Sequence, residues 1–217
     1  MAPSSQKLEP PAIPGRFTQT RERILDIAET AVLQKGFGAT SIDELIAEAG
    51  LTKSGFFYHF KDKSVLAQAL LQRYLDREED ILDDLFARAA ELSEDPLHAF
   101  LIGLKLFAEM MNDLPAGHPG CLVATYCYHE QLFDKKIQRI NHDAVLFWRN
   151  RFRSQLNLIA DKYPPRDDVD IEALADMVSS VIEGGIIVSK VLKDPKILAG
   201  QIMLFRSYLR LLFLPDN

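Results

Sequence analysis

Two cysteines, Cys121 and Cys127, and a single tryptophan are all that the 217 residues hold of those types. Two thiols are too few for a disulfide framework, so the fold must rest on its core, and a reducing compartment fits. No apolar run approaches the roughly 18 uninterrupted residues that span a bilayer. The opening MAPSSQKLEPPAIPG lacks the basic start and apolar stretch of an export signal. Cytoplasmic placement without a membrane partner is the resulting expectation. Also missing are a glycine-rich phosphate loop, dependable metal-ligand spacing around the cysteines and histidines, internal repeats, and any useful length of alternating strand pattern. The chain is therefore expected to hold no cofactor and no metal. A basic surplus is absent too, since the net charge is −6, which at first argues against a nucleic-acid partner. The charge is unevenly spread. Residues 1–66 hold eight Lys/Arg and eight Asp/Glu, so the whole acidic excess lies in residues 67–217. Binding a polyanion needs a local basic face rather than a basic chain. Residues 52–63 offer Lys53, Lys61, Lys63 and His59 against one aspartate.

What is present is helical. An apolar fraction of 47% with 26% charged residues suits a globular protein with a sizeable core. Residues 1–16, with Pro3, Pro10, Pro11 and Pro14, read as a disordered arm that is either inert or reaches toward DNA through Lys7 and Arg16. Ile24, Leu25, Ala28, Ala31 and Val32 share one face of a helix from about Thr20 to Lys35, ended by Gly36. A long helix starts near residues 62–64 and passes Leu85. Asp95-Pro96 opens another, to about Met111. After the breaker cluster at 114–120, helices are predicted over 121–133 and 135–162. Asp170 caps one over 171–193, and Asp194-Pro195 starts the last, to about Phe213. The fold class is all-α.

Residues 40–66, TSIDELIAEAGLTKSGFFYHFKDKSVL, carry the most chemistry. Ser41 and Glu44 have capping-box spacing. Ile42, Leu45, Ile46 and Ala49 give one apolar face, and Gly50 suits the left-handed residue that closes such a helix. Thr52 can cap the next helix, which turns Lys53, Ser54, Gly55, Tyr58 and His59 outward and Phe56 and Phe60 into the core. This is the layout of a helix-turn-helix, whose second helix enters the DNA major groove. Thr52, Lys53, Ser54, Gly55 and Tyr58 fall nearest the groove. Thr40 and Ser41, at a helix amino terminus, and His59 and Lys63 are phosphate candidates. The hydroxyls can equally be plain caps, and the lysines a solvated face.

The run LTKSGFFYHFKDKSVL, behind Gly36-Phe37-Gly38-Ala39-Thr40-Ser41, resembles the DNA-binding domain of the TetR family of bacterial transcription regulators. The likeness covers residues 17–77. One departure stands out. The family usually has tyrosine where this chain has Phe57, which removes a phosphate-contacting hydroxyl that Tyr58 or His59 could replace. The resemblance implies a three-helix head on a larger helical domain, residues 78–217, for effector binding and dimerisation. It further implies a homodimer through the last two helices, double-stranded DNA with a palindromic operator as partner, and a repressor released by a small-molecule effector. Activation, or sensing through a cysteine, stays open.

The last two predicted helices are apolar over wide faces, through Leu174, Met177, Val178, Val181, Ile182, Ile197, Ile202, Phe205, Leu209 and Leu212, which fits a partner copy or an internal core. Gly184-Gly185 inside a helix suggests close helix approach. If the resemblance extends to the middle helices, candidate pocket residues are Phe107, Met110, Met111, Cys121, Tyr126, Phe147, Trp148, Phe152 and Ile186, with Glu183 as a polar anchor. Each can equally be core. Cys121 begins a helix, where the macrodipole lowers a thiol's pKa; it is either a sensor or an inert buried thiol. The competing enzyme reading pairs Cys121 with His118 or His129 as nucleophile and base, but no orienting partner or oxyanion element is legible. No catalytic residue is assigned.

Overall fold

The computed structural model describes residues 16–214, so all of the proposed arm but Arg16 lies outside the described residues. Among the described residues the regular structure is helical throughout, as the pattern predicted: α1 (Arg16–Lys35), α2 (Ile42–Glu48), α3 (Lys53–His59), α4 (Lys63–Leu92), α5 (Pro96–Asn112), α6 (Leu122–Tyr128), a short 3-10 turn (Glu130–Leu132), α7 (Lys135–Lys162), α8 (Ile171–Leu192) and α9 (Lys196–Phe213).

Local chemistry sets most boundaries. Ser41, Thr52, Asp62, Asp95, Asp134 and Asp170 each cap a helix by accepting a backbone N–H from its first turn, the usual remedy for amides with no intrahelical partner. Gly36 and Gly50 take positive φ where α1 and α2 end. Three boundaries differ from expectation. α1 begins a turn early, because Phe17 packs on the rings of Tyr58 and His59. The segment predicted as one helix over 121–133 breaks at His129, whose Nδ1 meets the Thr125 carbonyl at 3.0 Å. That break lets Phe133 stack on Tyr126, with centroids 4.2 Å apart and planes 9° from parallel. Pro195 sits at the N-cap of α9 rather than inside it, and the Asp194 carboxylate accepts from the Lys196 amide at 3.0 Å.

Two hydrophobic cores follow. One joins Ile24, Leu25, Leu45, Phe56, Phe60, Leu66 and Leu70 of α1–α4 to Leu122, Tyr126, Phe133 and Ile137. The other gathers α5, the second half of α7, α8 and α9 around Phe100, Leu104, Leu156, Leu174, Ile202 and Leu209, with Leu82 of α4. α4 therefore serves both, and a boundary at residue 77 falls inside it.

α4 is tied to α1 by charge as well. The Arg73 guanidinium donates to Asp26 Oδ1 (2.7 Å) and Glu29 Oε2 (2.8 Å), and Arg77 donates to Glu29 Oε1 (2.6 Å). Glu29 is buried.

Of the apolar residues read on the last two helices, Leu174, Val178, Ile202, Phe205, Leu209 and Leu212 belong to the internal core. The apolar residues left outside are mostly others: Ile187, Val188, Val191, Leu192, Leu204, Tyr208 and Leu211, with Met177 from the predicted set. The two glycines also separate. A Cβ on Gly185 would lie 2.8 Å from Leu198 Cδ1 and 3.3 Å from its Cα, whereas one on Gly184 would meet nothing within 4 Å. Close approach of α8 to α9 thus needs Gly185. Gly185→Ala should lower stability by about 1–3 kcal/mol through overpacking against the α9 backbone, read as a fall in the urea midpoint with the slope unchanged.

Candidate functional site

The head presents one polar face. Thr52 Oγ1 accepts from the Gly55 amide (3.1 Å) and meets Ser54 Oγ (3.1 Å). A Cβ at Gly55 would crowd that hydroxyl at 3.2 Å, so the glycine keeps the cap open. Thr52, Lys53, Ser54 and Tyr58 are exposed together, Tyr58 by 75%. Ser41, also exposed, accepts from the Glu44 amide at 3.2 Å. Hydrogen bonding from Lys35, and then its charge, holds the Glu44 carboxyl below its ordinary range despite a desolvation penalty.

Three phosphate candidates are occupied within the head instead. Thr40 is buried, and its hydroxyl donates to the Gly36 carbonyl at 3.0 Å. Lys63 donates to the Phe37 carbonyl at 2.8 Å, and its ammonium lies 4.6 Å from the Phe37 ring centroid. Its pKa is lowered by burial. His59 is half-buried under Phe17, and burial, then the charge of Arg21, lowers its pKa. Neutral at physiological pH, the imidazole supports the aromatic cluster and supplies no cation. The reason is the same in each case, a tertiary partner that sequence spacing does not reveal. Phe57 and Lys61 share the exposed surface of the head with Phe17, which the sequence did not mark; the early start of α1 is what brings Phe17 there.

Behind the head lies a cavity of about 840 Å³ between α4, α5, α6, α7 and α8. Phe107, Met110, Met111, Cys121, Tyr126, Trp148, Phe152, Glu183 and Ile186 all line it. Phe147 does not. It lies 39% exposed on α7, about 100° round the helix from Trp148, because successive residues turn by that angle. Lining residues that sequence reading missed include Tyr74, Glu78, Ile81 and Leu82 of α4, His118, Asn141 and Arg149. α4 reads as a connector, and nothing in its spacing distinguishes a cavity face from a core face.

Cys121 corrects the dipole argument. It caps α6, where its Sγ accepts from the Ala124 amide at 3.5 Å, yet burial, followed by the Glu183 charge, pushes its thiol up to about 12. Desolvation thus outweighs the helix terminus. Tyr74 and Glu183 line the same cavity as Cys121, and the Glu183 charge adds to the rise. Neither imidazole named for a catalytic pair reaches that sulfur by hydrogen bond. His118 Nδ1 accepts from the Gly120 amide (3.2 Å), and His129 is committed to Thr125. Burial, then Lys190 and Arg77, holds His118 down to about 4. Among the described residues no three His, Cys, Asp or Glu side chains could hold a metal ion, and no helix is long and apolar enough to cross a membrane.

A capped short helix, a glycine turn and a second short helix with an exposed polar face define a helix-turn-helix protein. Residues 24–70 match the family model described as bacterial regulatory proteins, tetR family. The head of the chain is thus similar to the DNA-binding region of that family. It is 32% identical over 96 residues to the HTH-type transcriptional regulator TtgR of Pseudomonas putida, covering 44% of this chain and 43% of that one. It is also 32% identical over 95 residues to the HTH-type transcriptional repressor BepR of Brucella suis, covering 42% and 44%. These matches span less than half the length of the curated relatives. Solved structures share the whole fold at low identity. A TetR-family regulator from Agrobacterium tumefaciens gives a TM-score of 0.74 at 16% identity over 91% of this chain and 100% of that one. The regulatory protein TetR from Rhodobacter sphaeroides gives 0.71 at 20% over 87% and 98%.

The thiols yield a direct check. Burial keeps Cys121 protonated at pH 8 far more completely than an unperturbed thiol, while Cys127 is exposed. Iodoacetamide should therefore modify Cys127 in the native protein and leave Cys121 untouched until denaturant is added, as peptide mass mapping would read.

Proposed function

We propose that this protein is a ligand-responsive transcriptional regulator, most simply a repressor, that binds a palindromic operator as a homodimer. The observation that carries the reading is the exposed face of Thr52, Lys53, Ser54 and Tyr58 on the second helix of the helix-turn-helix. Small residues there permit close approach to base edges, and Lys53 and Tyr58 can donate to bases or phosphates. Ser41 is retained as a phosphate contact. Thr40 and Lys63 act by shaping the turn after α1, and His59 by seating Phe17 beneath Tyr58.

The outer stripe of α8 and α9 supports pairing. Val191, Leu192, Leu204 and Leu211 are each more than 60% exposed, and large apolar side chains left outside on two packed helices are what a partner surface would cover. A twofold pair across it would set two recognition helices at a fixed spacing on the duplex. An effector in the cavity that favours another spacing would shift the population and release DNA. With Cys121 held protonated, occupancy of the cavity is favoured over thiol chemistry as the signal.

Lys53→Ala with Tyr58→Ala should weaken binding to the DNA upstream of the protein's own coding region by at least about tenfold, while the dimer mass is unchanged. If Lys53 meets a phosphate, the single variant should also reduce the salt slope by about one. Fluorescence anisotropy over a salt series reads both, and wild-type protein with no specific binding at moderate salt would defeat the reading. Val191→Glu with Leu204→Glu should give a helical monomer by light scattering and circular dichroism; an unchanged dimer mass would place the interface elsewhere.

A further inference from the structure

We propose that the cavity takes a lipophilic cation, an organic positive charge sheathed in aromatic or alkyl groups. The inference rests on reading this cavity as the effector site and names the class of molecule it accepts.

The walls are aromatic and apolar: Phe107, Tyr126, Trp148 and Phe152, with Met110 and Ile186 between them. Such faces favour bulky apolar groups, and aromatic faces also attract cations. The charged groups in and around the cavity are unequally engaged. Its one arginine, Arg149, is held by Asp176 in two bonds of 2.7 Å each. Nearby Arg77 is spent on Glu29, and Lys190 on the Pro119 carbonyl. His118 is uncharged at neutral pH.

The carboxylates are less satisfied. Glu78, on α4, accepts no hydrogen bond and closes no ion pair among the described residues. Burial raises its pKa above the ordinary carboxylate range, with Arg77 opposing. Glu183, on α8, lines the same cavity, near enough to Cys121 for its charge to raise that thiol's pKa, and its carboxylate offers lone pairs to a guest. A third acid, Glu130, lies exposed toward the solvent side.

A desolvated carboxylate without a partner is an unfavourable arrangement that a cation removes and a neutral guest does not. An anion would add repulsion from Glu78 and Glu183, and among the described residues Arg149, Arg77 and Lys190 are already engaged. The volume of about 840 Å³ leaves room for several rings. An extended apolar guest can therefore fill the cavity and still bring its charge to either acid.

Tetraphenylphosphonium and tetraphenylborate have one shape and opposite charges, and triphenylphosphine oxide is a neutral relative. Trp148 is the chain's one tryptophan and lies on the cavity wall, so its fluorescence reports occupancy of the full-length protein. The phosphonium should quench it saturably, with an affinity at least about tenfold above the borate and the oxide. Glu78→Gln and Glu183→Gln should each lower phosphonium affinity by about tenfold and leave the oxide unchanged. Equal binding of phosphonium and borate, or variants indifferent to charge, would overturn the inference while leaving the cavity a ligand site. Failure of all three probes to bind would overturn both. Should one variant lose its circular dichroism, the other decides, and the paired probes on the unmodified protein decide alone if both are lost.

Discussion

α4 is where the two halves of the molecule constrain each other. Its thirty residues contribute to both hydrophobic cores, and two pairs of side chains interleave along it. Arg73 and Arg77 stand four apart on one face and close on Glu29 of α1. Tyr74 and Glu78, also four apart, face the cavity. Residues four apart in a helix lie one above the other, and neighbours lie about 100° apart. The clamp on the head and the wall of the cavity are therefore adjoining faces of one rigid rod. A helix cannot rotate one face without carrying the next. Because breaking a buried ion pair leaves charge uncompensated, the Arg73–Glu29–Arg77 contacts keep that rod in register with α1.

A second coupling runs through α6. Tyr126 is almost wholly buried, donates its hydroxyl to the Ala67 carbonyl at 2.8 Å, and stacks on Phe133, which packs on Phe37 in the turn after α1. The head's core is thus completed by residues 122–144, far along the chain. Head and body share packed interior, and close-packed interiors transmit displacement rather than absorb it. The cavity lies between the two couplings, bordered by α4 on one side and α6 on another.

The legible parts were those whose causes are local. Ser41, Thr52, Asp95 and Asp170 announced their helices, since a cap needs only an oxygen and an amide two or three residues on. Phe56 and Phe60 were readable as core from their four-residue spacing, and Gly50 as a turn from the left-handed backbone it takes. Glu183 and Trp148 line the cavity, while Phe147, one position from Trp148, does not, because helical spacing predicts a shared face only when the angle of that face is known. Lys63 and His59 read as free cations since nothing nearby in sequence reveals Phe37 or Phe17. Cys121 shows competing effects at one atom: a helix terminus and an inert buried thiol were both legible, and burial in the fold makes desolvation the larger.

By itself the sequence determined most of the helices, their order, the helix-turn-helix and the polar face of α3, since each follows from backbone chemistry and from periodicities within a few turns. Tertiary structure alone decided which apolar residues of α8 and α9 stay outside and which hydroxyls and cations of the head are already engaged. It also placed Tyr74 and Glu78 of α4 beside Glu183 of α8 in one cavity. Burial, desolvation and charge pairing depend on groups distant in the chain, and only folding brings those within reach.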